Sequence, residues 1–393
     1  MKKKNYSVIF ILLAFILTIT ILCGSTRVNA LAKEVKTDKF QSKSLLLIEP
    51  NTKTVIYSLN EKEKLPIASM CKIMTLLLCF ESIDNNELSL DQTIIISENA
   101  SSMGGSQVFL EQNAEYKVGE LIKSIVVSSA NDACVAMAET ICGSEDNFIE
   151  KMNQKAKELN MNNTNFVNCT GLPKPGQYSC AEDVAKMFSE LIKHEDYFRF
   201  SRIWTDKVAH PNNRFTEISN TNKLIRFYEG CDGGKTGYTS EAGHCLAATA
   251  TRHGMRLISI VISAPSSKQR FKEVSDMFNL GFANYTNKLI IDNNKPLDIN
   301  VKVVGGKKNI LEVVAENPVY VFSEKNQKKS YEISFQPKEQ IKAPINVGDY
   351  VGDLTIYENG KETKTVKVLA NEQILKKNYL DNIKDISDEW AIV

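Results

Sequence analysis

Pro66-Ile67-Ala68-Ser69-Met70-Cys71-Lys72-Ile73-Met74-Thr75 is the stretch on which the reading of this chain turns. After Pro66, the residues Met70, Ile73, Met74, Leu77 and Leu78 recur at the spacing of one helical face, which predicts a core helix here. Ser69 and Lys72 stand three residues apart, so they share a face of it. A serine hydroxyl is a poor nucleophile unless a neighbouring base takes its proton, and a lysine amine can be that base if it is neutral. Neutrality at pH 7 calls for a strongly lowered pKa, through burial or a nearby positive charge. Taken alone, Ser-x-x-Lys is better read as a capped helix with a solvated lysine.

Two more short motifs overturn that bland reading: Ser129-Ala130-Asn131, and then Lys235-Thr236-Gly237. The first falls between two predicted core helices, 118–130 and 132–141. The second reads as a strand in which Gly237 lets a substrate backbone approach and pair along the edge. Lys235 would supply a second positive charge beside Lys72. Further helices are predicted at 146–159, 180–193 and 267–283, and the apolar runs 245–250 and 255–263 read as adjacent strands of a covered sheet.

In this order the motifs resemble those of the D-alanyl-D-alanine carboxypeptidase branch of the penicillin-binding proteins. The likeness spans nearly the whole chain. Ser129 to Glu139 is similar to that family's second motif, with Ala130 where glycine is more usual. Asp232-Gly233-Gly234-Lys235-Thr236-Gly237-Tyr238-Thr239, with Glu241-Ala242-Gly243 behind it, matches the third, and Ala264-Pro265-Ser266-Ser267 to Arg270 also fits.

The resemblance implies an α/β (α+β) fold of the serine β-lactamase/transpeptidase type, an antiparallel sheet flanked by helices, followed by a small all-β domain. It implies Ser69 as the acylated nucleophile, Lys72 as general base, Ser129 as proton relay and Asn131 as the residue positioning Lys72 and the substrate amide. Lys235 and Thr236 would bind the terminal carboxylate of a D-Ala-D-Ala peptide beside Gly237. The backbone N–H groups of Ser69 and Tyr238 would hold the oxyanion, and Arg270 would assist carboxylate recognition, although a surface salt bridge is equally open to it. The implied substrate is the peptidoglycan pentapeptide stem, with β-lactams as covalent inhibitors. No cofactor is implied.

Three alternatives share parts of this motif set. A class A β-lactamase needs a glutamate-held water to release the acyl-enzyme; Glu158 and Asn162 have the spacing, but they sit at a helix end among charged residues. A catalytically dead muropeptide-binding protein is disfavoured because every expected catalytic residue is present. A D,D-endopeptidase acting on peptide cross-links would differ only in its pocket and stays open.

The ends of the chain point outward from the cytoplasm. Lys2, Lys3 and Lys4 precede an apolar run from Val8 to Leu22, and Val28-Asn29-Ala30 offers a cleavage site, so residues 1–30 read as a secretory signal. The full chain carries 48 Lys+Arg against 47 Asp+Glu, and the signal takes away four cations and no acid. The mature chain is mildly acidic, which gives no support for nucleic-acid binding. Eight cysteines remain, between Cys71 and Cys245; several lie in apolar helical patterns and read as buried thiols. Neither they nor His194, His210, His244 and His253 have metal-ligand spacing.

From Leu297 the helical period is lost. Ile299, Val301 and Val303 alternate with polar residues, and Asn359-Gly360 is a hairpin signal. The predicted domains are a penicillin-binding domain at 38–285 and a β-rich domain at 295–370. Residues 373–393 form an amphipathic tail helix with Leu375, Tyr379, Ile383, Ile386 and Trp390 on one face. Its polar face is net acidic, which leaves membrane contact and packing on protein as equal readings.

Overall fold

The computed structural model describes residues 40–327, 330–381 and 383. The predicted signal and most of the predicted tail lie outside them. Strands β1 (Ser44–Glu49) and β2 (Thr54–Leu59) form an N-terminal hairpin around Pro50 and Asn51. A 3-10 turn (Ala68–Cys71) then leads into α1 (Lys72–Asp84). Ser69 therefore lies in a tighter turn than the periodicity predicts. With three residues per turn, positions i and i+3 eclipse, so Lys72 still stands over Ser69.

Every residue of α1 from Lys72 to Phe80 is buried, as suits a helix that is apolar all round. It is surrounded by α2 (Val118–Ser128), α3 (Asn131–Cys142), α4 (Glu145–Glu158) and α5 (Ala181–Leu191). Their ends fall within two residues of the sequence expectation, a margin that fraying alone explains.

Strands β3 (Cys231–Thr239), β4 (Gly243–Arg252) and β5 (Met255–Ala264) join the hairpin in a five-stranded antiparallel sheet of order β2-β1-β5-β4-β3. Helix α6 (Ser267–Asn284) packs on one face, so close that a Cβ on Gly281 would stand 2.5 Å from Leu257 Cδ1. Helix α5 packs on the other. Because both faces are covered, β1 is buried along its whole length, which is why Leu45-Leu46-Leu47-Ile48 runs apolar without alternation. The strand carrying Lys235, Thr236 and Gly237 is the edge strand β3, against which the Ser69 turn packs.

The C-terminal part is a four-stranded antiparallel sheet of β6 (Val313–Ala315), β9 (Lys361–Ala370), β8 (Tyr350–Glu358) and β7 (Tyr331–Pro337), in that order. It has its own apolar core, including Val301, Leu311, Val313, Leu354, Ile356 and Val368. Asn359 and Gly360 join β8 to β9 with φ of 51° and 77°, the left-handed pair a tight hairpin requires.

Two boundaries differ from the sequence expectation. Strand structure begins at Tyr285, where Tyr285–Ile291 pairs with Val319–Glu324, rather than near 295. No glycine or proline separates it from α6, so the sequence carries no break there. At the other end Leu375 is not on a helix: Lys307 N donates to the Leu375 carbonyl and Lys377 N to that of Gly305, which holds the segment extended. No described helix is long and apolar enough to cross a membrane.

Candidate active site

Ser69 sits in its 3-10 turn with its side chain partly open to solvent, and the turn is entered through Ala68 at φ 46°. Lys72, the first residue of α1, is fully buried beneath it. Its Nζ is 3.1 Å from Ser69 Oγ, 2.7 Å from Asn131 Oδ1 and in hydrogen-bond contact with the Thr170 carbonyl. All three partners are uncharged.

Ser129 is the left-handed C-cap of α2, at φ 65°, and Asn131 opens α3 two residues later. This abrupt reversal turns both side chains towards Lys72 and β3. Ala130, at φ −60° and ψ 122°, is ordinary extended backbone, so alanine stands there without strain. Asn131 is held from behind by Nδ2 on the Gly104 carbonyl (2.7 Å) and by its own N–H on the Ser106 carbonyl (2.6 Å). The loop supplying those carbonyls is fixed in turn by the buried Asp132 carboxylate, which accepts from the N–H groups of Val108 and Leu110.

From β3, Lys235 Nζ donates to Ser129 Oγ at 2.7 Å and to the Thr236 carbonyl at 3.0 Å. Thr236 is buried beside it. At Gly237 a Cβ would lie 2.7 Å from the Ile67 carbonyl and 3.1 Å from Ser69 N, so only glycine lets the edge strand press against the nucleophile's backbone. Tyr238 is the exposed member of the strand, its ring stacked on His244 with centroids 4.4 Å apart. Arg270 is neither a surface residue nor one half of a surface salt bridge. It is buried, and its Nη1 reaches the carbonyls of Gly237 (3.0 Å) and Cys245 (3.3 Å) from behind the strand.

Burial governs the electrostatics. It holds the Lys72 amine below the ordinary lysine value, and it pushes Lys235 well below, helped by the positive charge of Lys72. The thiols around them supply no countercharge, because burial pushes Cys71 up and Cys134 up to about 12. The charge on each lysine disfavours the charged form of the other, on top of the burial they share.

Glu158 takes no part. It pairs with Lys155 at 2.9 Å on the surface end of α4, and Gln154 donates to its carboxylate. A cleft of about 1030 Å³ lies elsewhere, between the β1–β2 hairpin and α5, and none of the motif residues line it. Among the described residues no cluster of His, Cys, Asp and Glu could hold a metal ion.

The nine residues singled out in the sequence thus fall at one end of the edge strand and around the start of α1. Sequence reasoning missed the loop from Asn168 to Leu172. Thr170-Gly171 is a turn signal, but a backbone carbonyl aimed at Lys72 has no signature in the residue types.

Comparison with known proteins then decides the lineage. Residues 31–266 match the D-alanyl-D-alanine carboxypeptidase family, and residues 285–376 match the C-terminal domain of penicillin-binding protein 5. The chain belongs to the D-alanyl-D-alanine carboxypeptidase family. Its carboxypeptidase relatives include DacF of Bacillus subtilis, 39% identical over 352 residues that cover 89% of this chain and 90% of that one. A solved penicillin-binding protein of this type, the peptidoglycan synthesis regulatory factor PBP3 from Streptococcus pneumoniae, has 26% identity and a TM-score of 0.72. It covers 85% of this chain and 99% of its own. Penicillin-binding protein D2 from Listeria monocytogenes, solved in its ampicillin-bound form, is 30% identical with a TM-score of 0.56. It covers 62% of this chain and 98% of its own.

Proposed function

We propose that this chain is a serine D-alanyl-D-alanine carboxypeptidase that trims the terminal D-Ala from peptidoglycan pentapeptide stems and is acylated by β-lactams at the same serine. The observation that carries the reading is Lys72 Nζ at 3.1 Å from Ser69 Oγ, wholly buried and with only uncharged partners. A lysine so held has reason to give up its proton, which a base must do first.

In this mechanism the carboxylate of the terminal D-Ala binds Lys235 and Thr236. The anion favours a protonated Lys235, and repulsion from that charge keeps Lys72 neutral. Ser69 Oγ attacks the carbonyl of the penultimate D-Ala while Lys72 takes its proton. The oxyanion sits on the N–H groups of Ser69 and Tyr238, each such donor contributing roughly 3–4 kcal/mol in comparable sites. Ser129, joined to Lys235 at 2.7 Å, passes a proton to the departing amine of D-Ala as the carbon–nitrogen bond breaks. Water then cleaves the acyl ester, leaving a tetrapeptide and free Ser69. Asn131 positions Lys72 and accepts the substrate amide. Arg270 acts through the Gly237 carbonyl rather than by touching the carboxylate.

Residues 1–30 are proposed to direct secretion, with cleavage after Ala30, so the enzyme works outside the cytoplasmic membrane on wall peptides. The penicillin-binding domain is assigned to 38–284, the β-rich spacer to the part from Tyr285 through the paired segment at 374–377, and the tail beyond it to a peripheral contact with membrane. Incubation with a pentapeptide muropeptide, followed by mass measurement, tests the activity. Loss of one D-Ala supports it; cleavage of cross-linked dimers without trimming would make the enzyme an endopeptidase.

A further inference from the structure

Asn168 lies outside the three motifs, yet it organises the loop that touches both Ser69 and Lys72. Its Oδ1 accepts from the N–H of Gly171 (2.7 Å) and of Thr170 (3.3 Å), and from Gln177 Nε2 (3.2 Å). Its Nδ2 donates to the Leu172 carbonyl (2.9 Å), and its own carbonyl takes the Cys71 thiol at 3.3 Å. The result is a tight loop in which Gly171, at φ 82°, lies against the nucleophile turn. A Cβ on Gly171 would come 2.1 Å from the Ala68 carbonyl oxygen and 2.9 Å from Ser69 N. The same loop delivers the Thr170 carbonyl to Lys72 Nζ.

That carbonyl matters because of what a neutral amine can do. An ammonium has three N–H donors and serves all three partners of Lys72. A neutral amine has two N–H bonds and one lone pair. Asn131 Oδ1 and the Thr170 carbonyl can only accept, and the Asn131 amide cannot turn over because its Nδ2 is committed to Gly104. Ser69 Oγ is the one partner that can donate. The two fixed acceptors therefore take the two N–H bonds and leave the lone pair facing the serine proton.

We propose that Asn168 is a positioning residue of the acylation step: it holds the Thr170 carbonyl where it orients the Lys72 lone pair onto Ser69. The proposal rests on the reading of Lys72 as base. It assigns Asn168 to the chemical step and not to ligand capture, since none of its hydrogen bonds reaches the Lys235–Thr236 side of the site.

Stopped-flow acylation by penicillin separates non-covalent binding (Kd) from the acylation rate constant (k2). In the full mature protein, Asn168→Ala should lower k2 by about tenfold or more while Kd stays within about threefold of wild type. Asn168→Asp keeps the acceptor oxygen for Thr170, Gly171 and Gln177 but sets its second oxygen against the Leu172 carbonyl, so it should recover only part of the lost rate. A k2 for Asn168→Ala within about threefold of wild type overturns the proposal, as does a Kd that weakens in step with k2. If Asn168→Ala does not fold, Gln177→Ala decides: it removes one support of Asn168 Oδ1 and should lower k2 severalfold, and an unchanged k2 overturns the proposal. The reading of Lys72 as base fails separately, by Lys72→Ala acylating at the wild-type rate in the same assay.

Discussion

The guanidinium of Arg270 and the carbonyl of Gly237 meet at 3.0 Å behind the edge strand, so a charge on α6 braces the strand on which substrate is read. Arg270 stands at the head of α6, four residues past the Ser266 cap, and its Nη1 also reaches Cys245 on the neighbouring strand. One side chain thereby ties two strands and a helix together directly behind the site.

Arg270→Ala should therefore be felt twice. It leaves the Gly237 and Cys245 carbonyls without this buried donor, a loss of roughly 1–3 kcal/mol, and it loosens Gly237 against Ser69. Thermal melts should show a lowered Tm and penicillin labelling a slower acylation. Unchanged acylation in a folded variant would mean that β3 needs no brace.

Removing the nucleophile and the two lysines should separate their roles. Penicillin should add its mass to a peptide containing Ser69, and Ser69→Ala should not label. Lys72→Ala should abolish acylation even with excess penicillin, whereas Lys235→Ala should lose most towards ligands bearing the carboxylate. Equal losses for Lys235→Ala with and without that carboxylate would contradict the division.

The buried lysines also predict how stability responds to pH. A lysine whose folded pKa lies below its ordinary 10.5 binds fewer protons folded than unfolded between those two values. Stability then rises with pH through that window, and below it the full penalty is in force. Lys72→Met should raise Tm near neutral pH by about 3 °C or more, and the gap to wild type should narrow as pH climbs towards 10.5. Acylation by the wild type should rise over the same direction of pH as Lys72 loses its proton. A gap in Tm that stays constant with pH would show that Lys72 is not depressed.

Every motif residue precedes α6 or lies in its first turn, so the C-terminal sheet is predicted to be dispensable for the chemistry. A chain ending at Asn284, the last residue of α6, should still be acylated by penicillin. A folded product by circular dichroism that does not label would assign the C-terminal sheet a part in catalysis.

The tail should give weak binding to anionic vesicles that strengthens as salt screens its acidic face. Co-sedimentation with and without residues 378–393, which leaves the paired segment at 374–377 in place, measures it. If both forms stay in the supernatant at every salt concentration, the tail is no membrane anchor.

What was legible in the sequence was what side-chain type and spacing encode. Ser69 and Lys72 announce each other three residues apart, and the apolar runs 245–250 and 255–263 announce adjacent strands of a covered sheet. What was hidden is carried by backbone. The Thr170 carbonyl, the Gly104 and Ser106 carbonyls behind Asn131, and the inward turn of Arg270 depend on where loops fold back, and no residue type marks them. Leu375 misled for a related reason: its spacing to Tyr379 suits a helix, but backbone pairing with Gly305–Lys307 claims it first.

The eight cysteines among the described residues are all free, and seven of them are closed to solvent. They are also spread usefully: Cys71 and Cys134 lie beside Lys72, Cys231 and Cys245 lie on β3 and β4, and Cys180 caps α5. The enzyme thus carries its own gauge of local opening. Alkylation with a mass-tagged reagent, resolved peptide by peptide, would time the exposure of the catalytic turn, the sheet and the helical layer separately without introducing any label.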